Sequence, residues 1–479
     1  MSTSKLLKNS GIYIFVSVLQ KAISFFLLPV YTVFLTPADY GTLNVIISIS
    51  SLLSVFFLLS LNSAGARFYY QYLDDEQHIK KIWGALCVFV VINSIILGTF
   101  FIVFHHYLID PFVSGIDFFP FMLLGILSTI LTPLYLFFQA YLQTRQDSIR
   151  YGVNMILNFL LNIGLIILFV VVFKKGVLGI LLAGVITSFV FFVYVLISFI
   201  PRLILNLDKN ILIPAFKYSL PLVPHSLSSW LMSMVDRLLV NNFTGKTEAG
   251  LYSVGYQFGN IINIITTSVN QAYAPWFFER EKKGELNQAV KIAELLTVIY
   301  CFLALGISLF ASDVLSIMVT RDFRSAWVFI PFISFAYVFS GLYYFFVNVL
   351  FLRQTKYVPI ITFSSAIIGL ILNIILIQKI GSLGASISCF ISLLASSIIA
   401  LFFSIKADKI RYNYARMYIY IFLFFTVSLI VYIPFSFNYL HLFLLKTLIY
   451  VLMMIIFIFI YKNEIFMLKS LLKKNEISG

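Results

Sequence analysis

The sequence predicts an all-α polytopic membrane protein of about fourteen helices, and three observations predict it. Of its 479 residues 61% are hydrophobic and only 11% charged, where a soluble chain carries about 25% charge. The apolar residues fall in runs of about 20, the length that crosses a bilayer as a helix. The basic residues collect in alternate connections between those runs, as they do in multi-pass proteins. So few charges could not coat a water-soluble surface of this size. A cytosolic enzyme, a nucleic-acid-binding module and a disordered tail are excluded.

The runs are taken in order. The first, 10–35, is too long for a signal peptide's apolar core of about 7–15 residues and lacks a cleavage site, so it is expected to remain as a span. The spans 42–66 and 82–104 flank the acidic loop Asp74-Asp75-Glu76, and 119–142 follows the polar stretch after His105 and His106, which read as interface anchors. Lys174 and Lys175 separate 151–173 from 177–200. The runs 216–243, 250–277 and 289–310 come next, then 326–350, 358–378 and 383–405. Between 310 and 326, Val314–Val319 is apolar but too short to cross. Two further runs, 416–435 and 441–461, close the series. The stretch Ile465–Lys474 is expected to lie on the membrane surface as an amphipathic helix.

With the first residues placed inside, 24 of the 33 basic residues fall on inner segments, seven outside and two within spans. The bias predicts a multi-pass protein with both termini cytoplasmic. It also removes the reason to read a net charge of +14 as nucleic-acid binding. Cys87, Cys301 and Cys389 lie in apolar runs without metal-ligand spacing. With no Gly-rich phosphate loop, no paired catalytic carboxylates and no metal cluster, neither a catalytic site nor ATP hydrolysis is expected.

The chain repeats. Shifted by 209 residues, Lys8–Val45 lies on Lys217–Val254 without a gap, matching Ser10/Ser219, Ser17/Ser226, Ser24/Ser233, Phe34/Phe243 and Gly41/Gly250. Shifted by 208, Leu134-Tyr135-x-Phe137-Phe138-x3-Leu142-x2-Arg145-Gln146 lies on Leu342-Tyr343-x-Phe345-Phe346-x3-Leu350-x2-Arg353-Gln354. Gly176-x-Leu178-Gly179 recurs as Gly381-x-Leu383-Gly384. Six spans per copy keep the copies parallel. The expected domains are a six-helix bundle over 1–207, its repeat over 208–410, and two extra helices with a basic tail over 411–479.

Pro29-x-Tyr31-x3-Leu35-x3-Asp39-Tyr40-Gly41, then Pro221-Leu-Val-Pro224-His225, Asp236-Arg237 and Gly250-Leu-Tyr252-Ser253 resemble oligosaccharide flippases of the polysaccharide transporter family. These Wzx-type flippases belong to the MOP superfamily, which also holds the MATE exporters and the lipid II flippase. The resemblance covers roughly residues 5 to 405. It implies two bundles around a central cavity with helices 13 and 14 peripheral. It also implies alternating-access transfer of undecaprenyl-pyrophosphate-linked oligosaccharide units, for O-antigen, capsule or exopolysaccharide synthesis. Membrane lipids, a polysaccharide polymerase and chain-length proteins are the implied partners.

Such a cargo needs a polar, basic path through hydrocarbon, since each unpaired polar group buried there costs several kcal/mol. Ionisable residues inside spans are therefore the first candidates. Lys21 lies about 16 Å along the first span, at 1.5 Å per residue, as a phosphate or ion-site contact or as a structural partner to another helix. Asp236 and Arg237 lie inside the seventh, Arg237 as an anion contact with Asp236 as a gate, pair or ion-linked carboxylate, or the two as an ion pair to a neighbouring helix. Arg67, Arg145 and Arg353 stand at inner ends of spans, as a phosphate-receiving mouth or as plain interface anchors. Asp236 and His225 are the residues an H+ or Na+ gradient would act through, and no resident cofactor or metal is expected. His225 beside Pro224 is also readable as a polar helix-interface residue.

Three rival functions remain at this point. A MATE-like drug antiporter would want several acidic residues at membrane depth, and a lipid II flippase shares the pyrophosphate chemistry. A membrane glycan polymerase or ligase would want a sizeable outer loop, where the longest here is about 15 residues.

Overall fold

The structure is a computed structural model, and it describes residue 19 and residues 25–408, 412–433 and 439–462. Among the described residues every regular element is helical. In chain order the helices are α1 Leu28–Phe34, α2 Pro37–Leu58, α3 Leu61–Gln71, α4 Glu76–Val103, α5 Leu123–Thr144, α6 Ser148–Ile166 and α7 Gly176–Ser198. Then come α8 Lys209–Ser219, α9 Val223–Ser233, α10 Val235–Thr244, α11 Lys246–Lys282, α12 Leu286–Leu309 and α13 Ala311–Met318. The last are α14 Ile330–Arg353, α15 Tyr357–Ile380, α16 Ser382–Ala407, α17 Tyr414–Ser428 and α18 Tyr439–Ile460.

Among the described residues, ten helices are long and apolar enough to cross a membrane. The other expected spans differ for separate reasons. Most of 10–35 lies outside the described residues. The run 216–243 is broken into α8, α9 and α10. The run 250–277 forms one continuous 37-residue helix, α11, which is more polar than the ten. The run 416–435 gives only the 15-residue α17 and a short 3₁₀ turn. The short apolar stretch after residue 310 forms the eight-residue α13.

Contacts divide the chain into two compact units, residues 1–253 and 254–479. In the first, α5 is central and packs on α2, α4 and α7, while α6 lies on α7. The segments that follow residue 208 join this unit, α8 against α3 and α4, α9 and α10 against α2. Its aromatic centre is Trp83, fully buried, with its ring 4.9 Å from Phe137 and 5.1 Å from Tyr141. In lipid there is little hydrophobic drive between helices, so such interlocking contacts and close approach hold a bundle together. In the second unit α14 is central, packed on α12, α16 and α17, with α15 on α16 and α18 on α12. Buried serines at 382, 386, 388, 392, 396 and 397 keep α16 slim, which permits that packing.

Two helix starts show how local sequence sets the elements. Thr36 caps α2, accepting from the Asp39 N–H at 3.2 Å while the Asp39 carboxylate accepts from Thr36 N at 3.0 Å. This reciprocal box, with Pro37 in the first turn, fixes where α2 begins. Asp147 caps α6 in the same way, accepting from Arg150 N at 3.3 Å.

Candidate functional site

The first unit carries its membrane-depth charge at a helix break. Met234, at φ −131° and ψ −27°, separates α9 from α10 and frees carbonyls of the last turn of α9. Neighbours on a regular helix diverge by about 100°, yet here Arg237 folds back across the break. Its Nη1 donates to the Ser233 carbonyl and, at 3.1 Å, to Asp236 Oδ1. The same carboxylate oxygen accepts from the Arg237 N–H at 2.9 Å, and Oδ2 accepts from the Tyr252 hydroxyl of α11. Asp236 is 4% and Arg237 6% exposed, so the pair is almost dry. Asp236 also sits in the first turn of α10, where the helix dipole favours a negative charge. The partner of this ion pair is thus its own neighbour plus a tyrosine on the next helix.

Beside this cluster α2 and α11 cross so closely that neither helix has room for a side chain at the contact. A methyl built on Gly41 would lie 1.9 Å from the Lys246 carbonyl oxygen, and one on Gly250 1.9 Å from that of Pro37. Gly41 and Gly250 are the repeat mates identified by the 209-residue shift. Asn242 and Asn241 of α10 tie down the loop before α5: Ser114 N donates to Asn242 Oδ1 at 2.9 Å, and Asn241 Nδ2 donates to the Ser114 carbonyl at 2.9 Å. This end of α2, α10 and α11 is sealed.

Towards its other end α2 meets α9 through polar groups. Trp230 Nε1 donates to the Ser48 carbonyl at 2.9 Å and to Ser51 Oγ at 3.1 Å. Helix α2 stops at Leu59 and Ser60, both left-handed at φ 46° and 56°. Asn93 of α4 donates to the Phe56 and Phe57 carbonyls at 3.0 and 2.9 Å, partnering groups near the break. Non-glycine residues in this region cost about 1–3 kcal/mol each and persist only where their surroundings enforce them.

Among α2, α5, α6 and α7 lies a hollow of about 360 Å³, whose lining combines the hydroxyls of Ser50, Ser51, Ser54, Ser128, Thr129 and Thr132 with apolar side chains of α2 and α7. The α5 hydroxyls donate back to their own helix: Ser128 and Thr129 to the Gly125 carbonyl at 2.8 and 2.7 Å, Thr132 to the Ser128 carbonyl at 2.7 Å. A hydroxyl whose proton is spent this way retains acceptor capacity. Sequence reading for charge missed this neutral lining. Its signal was present in the helical spacing of Gly125, Ser128, Thr129 and Thr132.

The other predicted residues are spread out. Arg67 lies 4.5 Å from the Tyr218 ring centroid, a cation–π contact. Arg145 donates to the Tyr141 hydroxyl at 2.6 Å. Arg353 bridges Asp408 at 2.8 Å and Glu281 at 2.7 Å, tying the ends of α11, α14 and α16 together. His225 is exposed in the first turn of α9, and its ring has no hydrogen bond or ion pair among the described residues. Lys21 lies outside the described residues. A charge that sequence reading assigned to an outer segment is buried instead: Lys446 of α18, 4% exposed, contacts Asp313 Oδ2 at 2.9 Å and Ser312 Oγ at 3.1 Å. Among the described residues no group of three or more His, Cys, Asp or Glu side chains could hold a metal.

Helices of membrane length, a broken span with a buried charge pair and a close glycine crossing define a polytopic helical membrane protein. Residues 6–281 match the model of the family described as polysaccharide biosynthesis protein, and the chain belongs to that family. A Haemophilus influenzae protein of the Lsg locus is 23% identical over 295 residues, 59% of this chain and 68% of its own length. An uncharacterized membrane protein of the same organism is 25% identical over 300 residues, 59% of this chain and 67% of its own length. Among solved structures, the lipid II flippase MurJ in an inward closed conformation superposes with a TM-score of 0.74 at 16% identity, covering 96% of this chain and all of that one. An inward-facing multidrug resistance MATE transporter of the MOP superfamily gives 0.61 at 16% identity, covering 81% of this chain and 95% of its own. These likenesses give the fold, that of the MurJ and MATE transporters.

Proposed function

We propose that this protein is a flippase that carries polyprenyl-pyrophosphate-linked oligosaccharide units across the plasma membrane by alternating access. The observation that carries this reading is the buried Asp236–Arg237–Tyr252 cluster at the broken α9–α10 span, immediately beside the Gly41–Gly250 crossing. Buried charge inside a membrane protein is expensive and is kept where it acts on a solute path or a gate. The hydroxyl-lined hollow adds acceptors suited to sugar hydroxyls, while the polyprenyl tail would remain in lipid. Lys21, taken from the sequence alone, completes the proposal as a cation that would contact the cargo pyrophosphate. Both termini are cytoplasmic in this reading, and an H+ or Na+ gradient acting through Asp236 or His225 drives the return step. A polymerase and chain-length proteins would take the cargo on the far side.

Deleting the gene should leave lipid-linked oligosaccharide in the inner leaflet. Complementation with Asp236→Asn or Arg237→Gln, expressed at wild-type level, should restore surface polysaccharide to about a tenth or less. Full export from both variants would overturn the role given to the pair. The superposition on MurJ favours one second reading, in which the cargo is lipid II. Arrest of cell-wall synthesis on depletion, with surface polysaccharide intact, would select it.

A further inference from the structure

The first unit contains a larger hollow that the transport reading does not use. It holds about 1110 Å³ and lies among the ends of four helices: the start of α4, the end of α5, the start of α6 and the end of α7. Two helix beginnings and two helix ends face it, so their dipoles largely cancel and side chains set the field. Six charged side chains line it: Glu76, Lys80, Arg145, Asp147, Arg150 and Arg202. Lys80 stands 3.4 Å from Glu76 and Arg150 3.4 Å from Asp147, so each of these cations has its own carboxylate. Arg145 donates to the neutral Tyr141 hydroxyl and shares the field of Glu76 with Lys80, and neither Arg145 nor Arg202 has an ion pair among the described residues. With four cations and two carboxylates, the lining carries a surplus of two positive charges.

The repeat makes that surplus informative. Arg353 occupies the position equivalent to Arg145, and there two carboxylates, Glu281 and Asp408, neutralise it. A residue serving only as an interface anchor has no need to differ in this way. The lining is also aromatic: Phe138 and Tyr141 pack on Phe199 at 4.9 and 4.7 Å, and Tyr194 is 40% exposed. Ser198, also in the lining, has a buried hydroxyl without a hydrogen-bond partner. Planar guanidinium groups match phosphate oxygens two at a time. A hollow whose lining combines two such groups with aromatic rings, at the ends of membrane spans, fits an amphiphile.

We propose that this hollow binds the phosphate headgroup of an anionic membrane lipid, held by Arg145 and Arg202. Two lipids carry that chemistry in the same leaflet: a phosphoglyceride of the bulk membrane and a polyprenyl phosphate. The site is independent of the Asp236–Arg237 cluster, so a failure here leaves the transport reading untouched.

The test is native mass spectrometry of the purified full chain with phosphatidylglycerol, undecaprenyl phosphate, uncharged diacylglycerol or inorganic phosphate added separately. One or both anionic lipids should be retained, and the stronger of them identifies the source. The double variant Arg145→Gln/Arg202→Gln should lose at least about tenfold in affinity for it. Arg145→Lys/Arg202→Lys should lose less, because charge survives while the fork is lost. Diacylglycerol retained as well as phosphatidylglycerol, or inorganic phosphate displacing lipid at equal concentration, would overturn the proposal. So would a folded glutamine variant that binds like wild type. Should that variant not fold, a photoactivatable phosphatidylglycerol on the wild-type chain decides: cross-links within 145–150 and 194–204 support the site, and their absence there refutes it.

Discussion

A carboxylate and a guanidinium that are both about 95% removed from solvent must satisfy each other or cost more than the fold can bear. Asp236 achieves this with three donors, and Arg237 with the Ser233 carbonyl that the break at Met234 sets free. Removing one partner strands the other, so Asp236→Asn should lower stability by about 3–5 kcal/mol. Thermal melting of the detergent-solubilised protein checks it, and Asp236→Asn/Arg237→Gln should destabilise less than the sum of the single changes. Lys446 and Asp313 invite the converse experiment. Replacing both, as Lys446→Met/Asp313→Leu, should be neutral or stabilising, whereas Lys446→Met alone should cost about 3 kcal/mol. Melting temperatures of the two variants decide whether this pair is a fastening or a functional charge. The sequence made Asp236 and Arg237 conspicuous because ionised residues are rare in apolar runs. It hid Lys446 because α18 lies at an end of its apolar run there, where a lysine looks like an anchor until Asp313 is seen beside it.

At the scale of the element, apolar length predicted most spans, while helix continuity followed other rules. Pro133 lies inside α5 and Pro275 inside α11, and both helices run on past them. Two interruptions, at Leu59–Ser60 and at Met234, come where no proline or glycine stands. They depend on partners distant in sequence: Asn93 for the first, and Tyr252 beyond the second. Propensity along the chain carries no trace of such partners. If Asn93 supports the α2 break, Asn93→Leu should cost about 1–3 kcal/mol through the two carbonyls it leaves. Ser60→Gly should stabilise by about 1 kcal/mol by removing the left-handed penalty. Denaturation of the two variants side by side distinguishes enforced strain from a tolerated irregularity. The hydroxyl lining of the hollow among α2, α5, α6 and α7 was legible in principle, since it follows helical spacing. It went unread because neutral hydroxyls inside spans usually bond only their own helix.

For the molecule as a whole, composition was enough to establish a helical membrane protein, and the repeat was visible as identities at shifts of 208 and 209 residues. Contacts, in contrast, group residues 1–253 together, so the first helices of the second repeat pack with the first unit. A boundary of that kind depends on which helices touch, and sequence similarity does not encode it. The distribution of basic residues makes a separate claim about orientation. Single cysteines replacing Arg150 or Arg280 should react with an impermeant thiol reagent only in inverted vesicles, and those replacing Lys174 or Lys379 only in intact cells. The reverse pattern would turn the protein over in the membrane and reassign the phosphate hollow to the other leaflet.

The crossing of α2 and α11 obeys a rule of its own. Gly41 rests over the carbonyl of Lys246, four residues before Gly250, and Gly250 rests over that of Pro37, four residues before Gly41. Each side thus does to the other what the other does to it, which is the defining property of an isologous interface between identical subunits. Here both halves of that interface lie in one polypeptide, and the segments are copies by sequence as well as by contact. A chain carrying only one copy would already possess the complete surface for self-association. At this point of contact, intramolecular closure and homodimerisation are the same recognition event.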